Sequence, residues 1–250
     1  MAIIPHGMDP HAFKPTPKDL KGIEASSLFI LVGNQYEESW VQDAVNNTNQ
    51  VSVELSTEIW GYLDTMDDHD DHDKDNDDHA GHDHGDHGYD LHFWHDPTKV
   101  VSAIDAISQA LVKIDPGSAE YYIDNASRYK QELVDIDKWI SSELSVIPAE
   151  RRVLITNHET MGYFADRYDF EVLGSVIPSF SSNTEANAKD LAKLMDVIEE
   201  HNVKVLFGEP QMREKLANSI ASDSGVTVAV LHSEMLGGEG SGVDSYIDML

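Results

Sequence analysis

Three histidines and one glutamate stand in short polar loops that follow apolar runs of the chain. They are His11 in HGMDPHAF, His92 in DLHFWHDP, His158 in ITNHETMGYF and Glu234 in LHSEMLGG. In open α/β sheets the loops at the carboxyl ends of the strands surround one crevice, so these four side chains are candidates for a common site. Three imidazoles and one carboxylate suit Zn²⁺ better than Ca²⁺ or Mg²⁺, which prefer oxygen ligands.

A second group of histidines lies in a low-complexity segment, residues 67–88, which holds ten Asp and only one Lys. The segment has too little apolar surface to offset the entropy of ordering, so we expect it to be disordered without metal. A flexible array must order itself on each binding event, which predicts several weak, exchangeable metal sites. The candidate ligands of these auxiliary sites are His69, His72, His79, His82, His84 and His87.

The chain is strongly acidic, with a net charge of −29 over 250 residues, and residues 67–88 account for −9 of it. Phosphate backbones and anionic lipid would repel such a charge, so we expect no nucleic-acid or membrane-surface partner. Because the chain has no Cys, a thiolate zinc site is excluded. The opening residues, MAIIPHGMDPHAF, lack the basic region and the long apolar core of a signal peptide, and we expect the chain to be a fragment of a longer one.

Strands and helices alternate along most of the chain, which predicts parallel sheets covered by helices. Apolar runs such as SSLFILV, RRVLITNH and VKVLFGEP predict buried strands, whereas residues 98–114 and 184–202 have the apolar spacing of helices. A further helical pattern, near 117–147, is unusually long for a globular protein. We therefore predict an α/β fold of two lobes, each a mainly parallel sheet flanked by helices, joined by one long connecting helix. The predicted limits are 1–115 for the first lobe, 116–148 for the connecting helix and 149–250 for the second lobe.

Five segments together resemble the zinc/manganese-binding branch of the solute-binding proteins of ABC importers. HGMDPHAFKPTPKDL is similar to the family pattern G-x-D-P-H-x-[FY]-x-P-x-P-x-D, DLHFWHDP to D-P-H-x-W-L-D-P, and TNHETMGYFADRYDFE to H-x-x-[FL]-x-Y-[FL]-A-x-x-Y-G. GNQYEESW resembles the loop N-G-x-x-x-E-x-W, and VKVLFGEPQ resembles a later strand followed by Glu. The resemblance covers essentially the whole chain. It implies two α/β lobes joined by a rigid helix, with the family's first strand and terminal helix missing from this chain.

Carried over position by position, the resemblance implies that the metal ligands are His11, His92, His158 and Glu234. His95 stands where the family usually has Leu, so the choice between His92 and His95 stays open, although counting back from the following Asp-Pro pair favours His92. Glu234 stands where the family more often has Asp. A His at position 158 resembles the zinc members, whereas manganese members usually have a carboxylate there, so Zn²⁺ is the expected ion and Mn²⁺ is the alternative.

The resemblance implies a monomeric extracytoplasmic protein, periplasmic or lipid-anchored, that captures Zn²⁺ between its lobes and delivers it to the membrane permease of an ABC importer. Two alternatives stay open. Three His ligands with a water, and Glu234 as general base, would make a zinc hydrolase, although no compact HExxH motif is present. The segment 67–88 would instead make a zinc buffer. Glu209 is open between an acceptor for a ligand imidazole and a structural loop carboxylate.

Overall fold

The computed structural model describes residues 3–5, 8, 13–34, 36–47, 50–59, 63, 90–178, 186–238 and 240–250. His11 and the segment 67–88 lie outside these residues. In the part of the chain that is described, two parallel sheets of two and four strands have helices packed around them. None of the described helices combines the length and the apolar character that a membrane crossing needs.

The first lobe is a small α/β unit. Its elements are α1 (Pro17–Glu24), β1 (Leu28–Leu31), α2 (Ser39–Asn46), β2 (Val51–Glu54) and α3 (Pro97–Ile114). Strands β1 and β2 pair in parallel, with Leu28 opposite Val51 and Leu31 opposite Glu54. Phe29 and Leu31 point from β1 into a buried cluster with Ile23 of α1 and Val41 of α2, so one face of this sheet is covered by the two helices.

Two single turns of 3-10 helix, Leu55–Thr57 and Phe93–His95, also belong to this lobe. The second turn is held in place by the start of α3. Asp96 caps that helix, because its Oδ1 accepts from the Thr98 backbone N at 2.8 Å, and Pro97 takes the first helical position, where no N–H is needed. The cap fixes where α3 begins and therefore where His92, the residue before the turn, must lie.

The long connecting helix is present. A 3-10 turn, Pro116–Ser118, leads into α4 (Ala119–Leu144), whose 26 residues span about 39 Å. The helix begins three residues later than the sequence predicts, because the Asp-Pro-Gly segment before it forms the tighter turn. Leu133 and Ile140 are buried along its inner side, so packing against both lobes stabilises the helix.

The second lobe is a four-stranded parallel sheet with helices packed against it. After a 3-10 turn (Ala149–Arg151), its elements are β3 (Val153–His158), α5 (Gly162–Tyr168), β4 (Glu171–Ile177), α6 (Ala188–Glu200), β5 (Val205–Gly208), α7 (Glu214–Ser224), β6 (Thr227–Val230) and α8 (Tyr246–Met249). The strand order is β4-β3-β5-β6, and every pair is parallel. The carboxyl ends of all four strands therefore lie at one edge of the sheet.

The second lobe has a core between the sheet and its helices. Ile155, Val176 and Leu206 from three strands are fully buried, and Leu194 of α6 and Ile220 of α7 pack against them. Burying each such side chain contributes about 1.5–3 kcal/mol relative to leaving it exposed. This core makes the sheet a rigid platform for residues at the strand ends.

A second core joins the two lobes through the connecting helix. Phe93 of the turn before α3, Leu133 of α4 and Tyr163 of α5 are all buried in one cluster. Tyr246 and Ile247 of α8 pack against the same cluster. The segments that carry the candidate ligands of the two lobes are therefore held against each other by shared packing.

The predicted α/β fold of two parallel-sheet lobes joined by a long helix is confirmed, and the lobe limits 1–115, 116–148 and 149–250 stay a prediction. The apolar run VTVAVLHSEML in the sequence predicts a last strand over residues 226–236, but β6 ends at Val230. The reason is that β5 ends at Gly208, opposite Val230, so the chain beyond this point has no strand to pair with.

Candidate metal centre

Three of the four predicted ligands come together in the structure. His92, His158 and Glu234 each offer one ligand atom, and these atoms all lie within 4.8 Å of one another. Among the described residues no other group of three His, Asp or Glu side chains converges in this way. His11 lies outside the described residues, as do the predicted auxiliary ligands in residues 67–88.

Different elements bring the three side chains to one point. His158 is the last residue of β3, a central strand of the second sheet, and it stands where the predicted strand RRVLITNH ends. Glu234 lies in the loop after β6, four residues beyond the end of that strand. His92 stands immediately before the 3-10 turn Phe93–His95 in the first lobe. The centre is therefore formed where the carboxyl edge of the second sheet meets the first lobe.

Asp90 sets the orientation of His92. Its Oδ1 lies 2.7 Å from His92 Nδ1 and accepts from the His92 backbone N at 2.9 Å. This contact directs the opposite ring nitrogen, Nε2, towards Glu234 Oε1 at 3.3 Å. Gly162, at the start of α5, makes room for the carboxylate, because a Cβ at that position would lie 2.5 Å from Asp90 Oδ2. The orientation of the His92 imidazole therefore depends on Asp90, two residues before it, and on the close approach of α5 at Gly162.

Glu209 sets the orientation of His158 in the same way. Its Oε1 lies 2.9 Å from His158 Nδ1, which leaves Nε2 facing Glu234 Oε1 at 3.3 Å. Asn157 Nδ2 donates to Glu209 Oε2 at 2.8 Å, and Gln211 Nε2 donates to the same oxygen at 2.7 Å. Glu209, which the sequence left open between two roles, therefore contacts the imidazole directly and is itself fixed by hydrogen bonds.

The Glu234 carboxylate lies at the middle of the centre with its side chain fully buried. Oε1 faces the Nε2 atoms of both histidines and also accepts from Tyr36 Oη at 3.4 Å. Tyr36 follows a tight turn at Gly33, whose φ of +87° only glycine adopts without strain. Glu37 closes this turn by accepting from the Gly33 backbone N at 3.0 Å.

Sequence reasoning did not identify Asp90 and Tyr36 as parts of the centre. Asp90 had a local signal, because a carboxylate two residues before a ligand histidine can reach that residue's backbone N and ring. Tyr36 had none, since it lies 198 residues from Glu234 in the chain and meets it only through the fold.

The carboxylates around the two imidazoles change their acidity. Burial lowers the pKa of His158, but contacts with Glu209 and Glu234 outweigh it and raise the pKa to about 10. Burial also lowers the pKa of His92, and contacts with Asp90 and Glu234 raise it above its ordinary value. The carboxylates that stabilise positive charge on the two imidazoles would also stabilise a divalent cation bound between them.

His95, the alternative second ligand, occupies different surroundings. It is buried and lines a largely apolar cavity of about 660 Å³ together with Met161, Phe164 and His232. Burial, together with the neighbouring charge of His92, lowers the pKa of His95 to about 3, so its ring is neutral. The structure thus brings His92, and not His95, to the other two candidate ligands.

Comparison with known proteins gives relatives over the whole chain. The family model described as ZnuA, zinc-uptake complex component A periplasmic, matches residues 1–250. The manganese-binding lipoprotein MntA of Halalkalibacterium halodurans is 29% identical over 249 residues, covering 99% of this chain and 76% of that protein. The high-affinity zinc uptake system protein ZnuA of Bacillus subtilis is 34% identical over 231 residues, covering 92% and 70%. The solved structure of the periplasmic zinc-binding protein TroA from Treponema pallidum has the same fold, with a TM-score of 0.81 at 23% identity over 98% of this chain and 84% of that one.

Proposed function

This chain belongs to the family of periplasmic zinc-uptake components, and we propose that it captures Zn²⁺ outside the cytoplasm and delivers it to the membrane permease of an ABC importer. Members of this family are substrate-binding transport proteins and not enzymes, so the hydrolase alternative is set aside. The metal ion is then cargo, which the protein must bind tightly and release.

The proposed ligands are His11, His92, His158 and Glu234. The observation that carries the proposal is the convergence of three ligand atoms within 4.8 Å, with both Nε2 atoms 3.3 Å from the same carboxylate oxygen. Support comes also from Asp90 and Glu209, because a carboxylate on Nδ1 fixes the tautomer and raises the basicity of a ligand imidazole.

Zn²⁺ is preferred over Mn²⁺ because of the donor atoms. A set of three imidazole nitrogens and one carboxylate suits a borderline-soft ion, whereas Mn²⁺ favours sites richer in carboxylate and other oxygen donors. Relatives of both kinds match the chain, so the identity of the ion is a proposal that competition between the two metals must test.

The proposal also covers the location of the protein, its oligomeric state, its lobe limits and the role of residues 67–88. We take the protein to be extracytoplasmic, as relatives named lipoprotein or periplasmic suggest, and monomeric, with the lobes divided at 1–115, 116–148 and 149–250. Residues 67–88 supply weak auxiliary sites that collect ions near His92, through the six histidines of that segment. The rival in which this segment is the functional part, a zinc buffer, predicts that deleting it abolishes function.

The test is a comparison of two buried histidines that lie three residues apart. Zinc titration with a competing chelator, and metal content by mass spectrometry, should show that His92→Ala weakens binding by at least about 100-fold, as loss of a ligand does. His95→Ala is the matched control and should bind nearly as the native protein does. Deletion of 67–88 should lower the number of ions bound and leave the tightest site intact. Equal losses at positions 92 and 95, or native affinity in His92→Ala, would refute the assignment.

A further inference from the structure

Glu234 is carried by a segment that leaves the second sheet and ends on the first lobe. After β6 the chain runs through a glycine-rich stretch, residues 231–245, here termed the strap, of which residue 239 is not among the described residues. Three glycines of the strap, Gly238, Gly240 and Gly242, have positive φ angles. The helix that follows, α8, packs through Tyr246 against the cluster that joins the lobes. Glu234 is thus placed by a loop and not by a strand.

One residue of the first lobe hydrogen-bonds Ser233 of this strap and Tyr246, the first residue of α8, which directly follows the strap. Trp94 Nε1 donates to the Ser233 carbonyl oxygen at 2.6 Å, directly next to Glu234. Tyr246 Oη, just beyond the far end of the strap, donates to the Trp94 carbonyl oxygen. The Trp94 ring also lies edge-on to the ring of His92, with centroids 5.1 Å apart. Trp94 therefore touches a ligand of the first lobe and holds the segment that carries the ligand of the second.

The position of Ser233 is set from two sides. The β5–β6 ladder ends before it, with Leu231 N donating to Gly208 O at 2.8 Å as the last backbone contact between them. From the second lobe, Ser233 Oγ donates to Glu209. From the first lobe, its carbonyl oxygen accepts from Trp94. Removing the indole N–H would remove one of the two first-lobe contacts of Ser233, because the His95 ring also hydrogen-bonds the Ser233 backbone.

We propose that Trp94 is a positioning residue that clamps the strap and so holds Glu234 against the two histidines, which sets the rate at which a bound ion leaves. This inference rests on the proposed function for its metal-dependent part. A hydrogen bond between the lobes that does not involve the ion stabilises the loaded state, and its loss acts mainly on dissociation, because association needs only that the ligands meet the ion.

Trp94→Phe removes the donor and keeps an aromatic ring. Stopped-flow transfer of Zn²⁺ to a chelator should show dissociation about fivefold faster, the loss expected for one net hydrogen bond, with the association rate unchanged. Tyr246→Phe removes a separate hydrogen bond, to the Trp94 carbonyl oxygen that Trp94→Phe keeps, so the double variant should release the ion faster than Trp94→Phe alone. Trp139→Phe is the matched control, because Trp139 is 56% exposed on α4, and its dissociation rate should be native.

A measurement without metal separates the clamp from the proposed function. Hydrogen exchange in the metal-free protein should be faster in residues 231–238 of Trp94→Phe than of the native protein, with β3 unchanged. Failure of the native protein to bind Zn²⁺, with this exchange difference present, would refute the proposed function and the rate-setting role while the clamp itself stands. Unchanged exchange together with an unchanged dissociation rate would overturn the clamp. A lowered melting temperature with native dissociation would also overturn it, since that is the behaviour of a purely structural tryptophan.

Discussion

The carboxylates around the two buried histidines predict a steep dependence of metal affinity on pH. His92 lies between Asp90, 2.7 Å from Nδ1, and Glu234, 3.3 Å from Nε2. His158 lies between Glu209, 2.9 Å from Nδ1, and the same Glu234, 3.3 Å from Nε2. Carboxylates accept from N–H groups, so these contacts favour the doubly protonated form of each ring in the metal-free protein. The raised pKa of both histidines, about 10 for His158, has this cause once the opposing effect of burial is overcome.

A metal ion bound at both Nε2 atoms must displace one proton from each ring. Below the folded pKa of both histidines, the Kd for Zn²⁺ should fall about 100-fold for each unit of rising pH, because each proton contributes about 1.36 kcal/mol per unit. Imidazoles with the ordinary pKa of about 6.5 would already be neutral near pH 7.5, and the Kd would then hardly change at higher pH. The two cases differ most just above neutral pH.

Two measurements decide between these cases. Competition with a chelator of known pH dependence gives the Kd between about pH 6.5 and about pH 8, and calorimetry in buffers of different ionisation enthalpy counts the protons released. We expect about two protons per ion. His95→Ala is the control, because the lowered pKa of His95, about 3, keeps that ring neutral throughout and the slope should not change. Release of fewer than about one proton near pH 7.5 would refute the reasoning.

Three further changes test the supports of the site and its charge. Glu209→Gln removes the carboxylate on His158 Nδ1, so zinc affinity should fall about 10- to 100-fold in a competition titration, and a change below about threefold would contradict the orienting role. Gly162→Ala would place a Cβ 2.5 Å from Asp90 Oδ2, so the Kd for Zn²⁺ should rise about tenfold. Gly117→Ala is the control, because its Cβ would meet nothing closer than 3.4 Å, and this variant should bind Zn²⁺ normally. Equal affinities of the two variants would exclude steric displacement of Asp90. In the metal-free protein, the raised pKa of His158 gives stability that is fully present below the unfolded pKa of about 6.5 and is lost as pH rises towards about 10, so the melting temperature should fall across this window. A melting temperature that rose there would contradict it.

The fold was predictable because its signals are local. Alternating apolar runs and helical patterns identify the elements, and the Asp96-Pro97 pair marks the start of α3 as a cap should. The predicted end of β6 was wrong because the length of a strand depends on its partner. Gly208 is the last residue of β5 and pairs with Val230, so β6 ends there, and the residues after Val230 carry no sequence signal of this. Registers of this kind are set by the assembled sheet.

For the candidate site, the sequence predicted the ligands but not all of the residues that hold them. Position-by-position resemblance nominated His11, His92, His158 and Glu234. His11 lies outside the described residues, and the other three converge where the strand ends of the second sheet meet the first lobe. The residues that hold the ligands were harder to find, since they are recognised by contact. Tyr36 reaches Glu234 across 198 positions of the chain, and Glu209 could be assigned to His158 only when the distance of 2.9 Å was known.

The charges of the centre fit a cargo that is exchanged. His92 and His158 face three buried carboxylates, Asp90, Glu209 and Glu234, and these contacts favour both imidazoles in the doubly protonated form when no metal is bound. With a divalent ion in place of the two Nε2 protons, the total charge of the group is the same. A buried site that changed its net charge on loading would have to carry an uncompensated charge in one of the two states, at a cost of several kcal/mol. Exchange of one dication for two protons avoids that cost, so the ligands can stay assembled in both states and the ion can leave without the site coming apart.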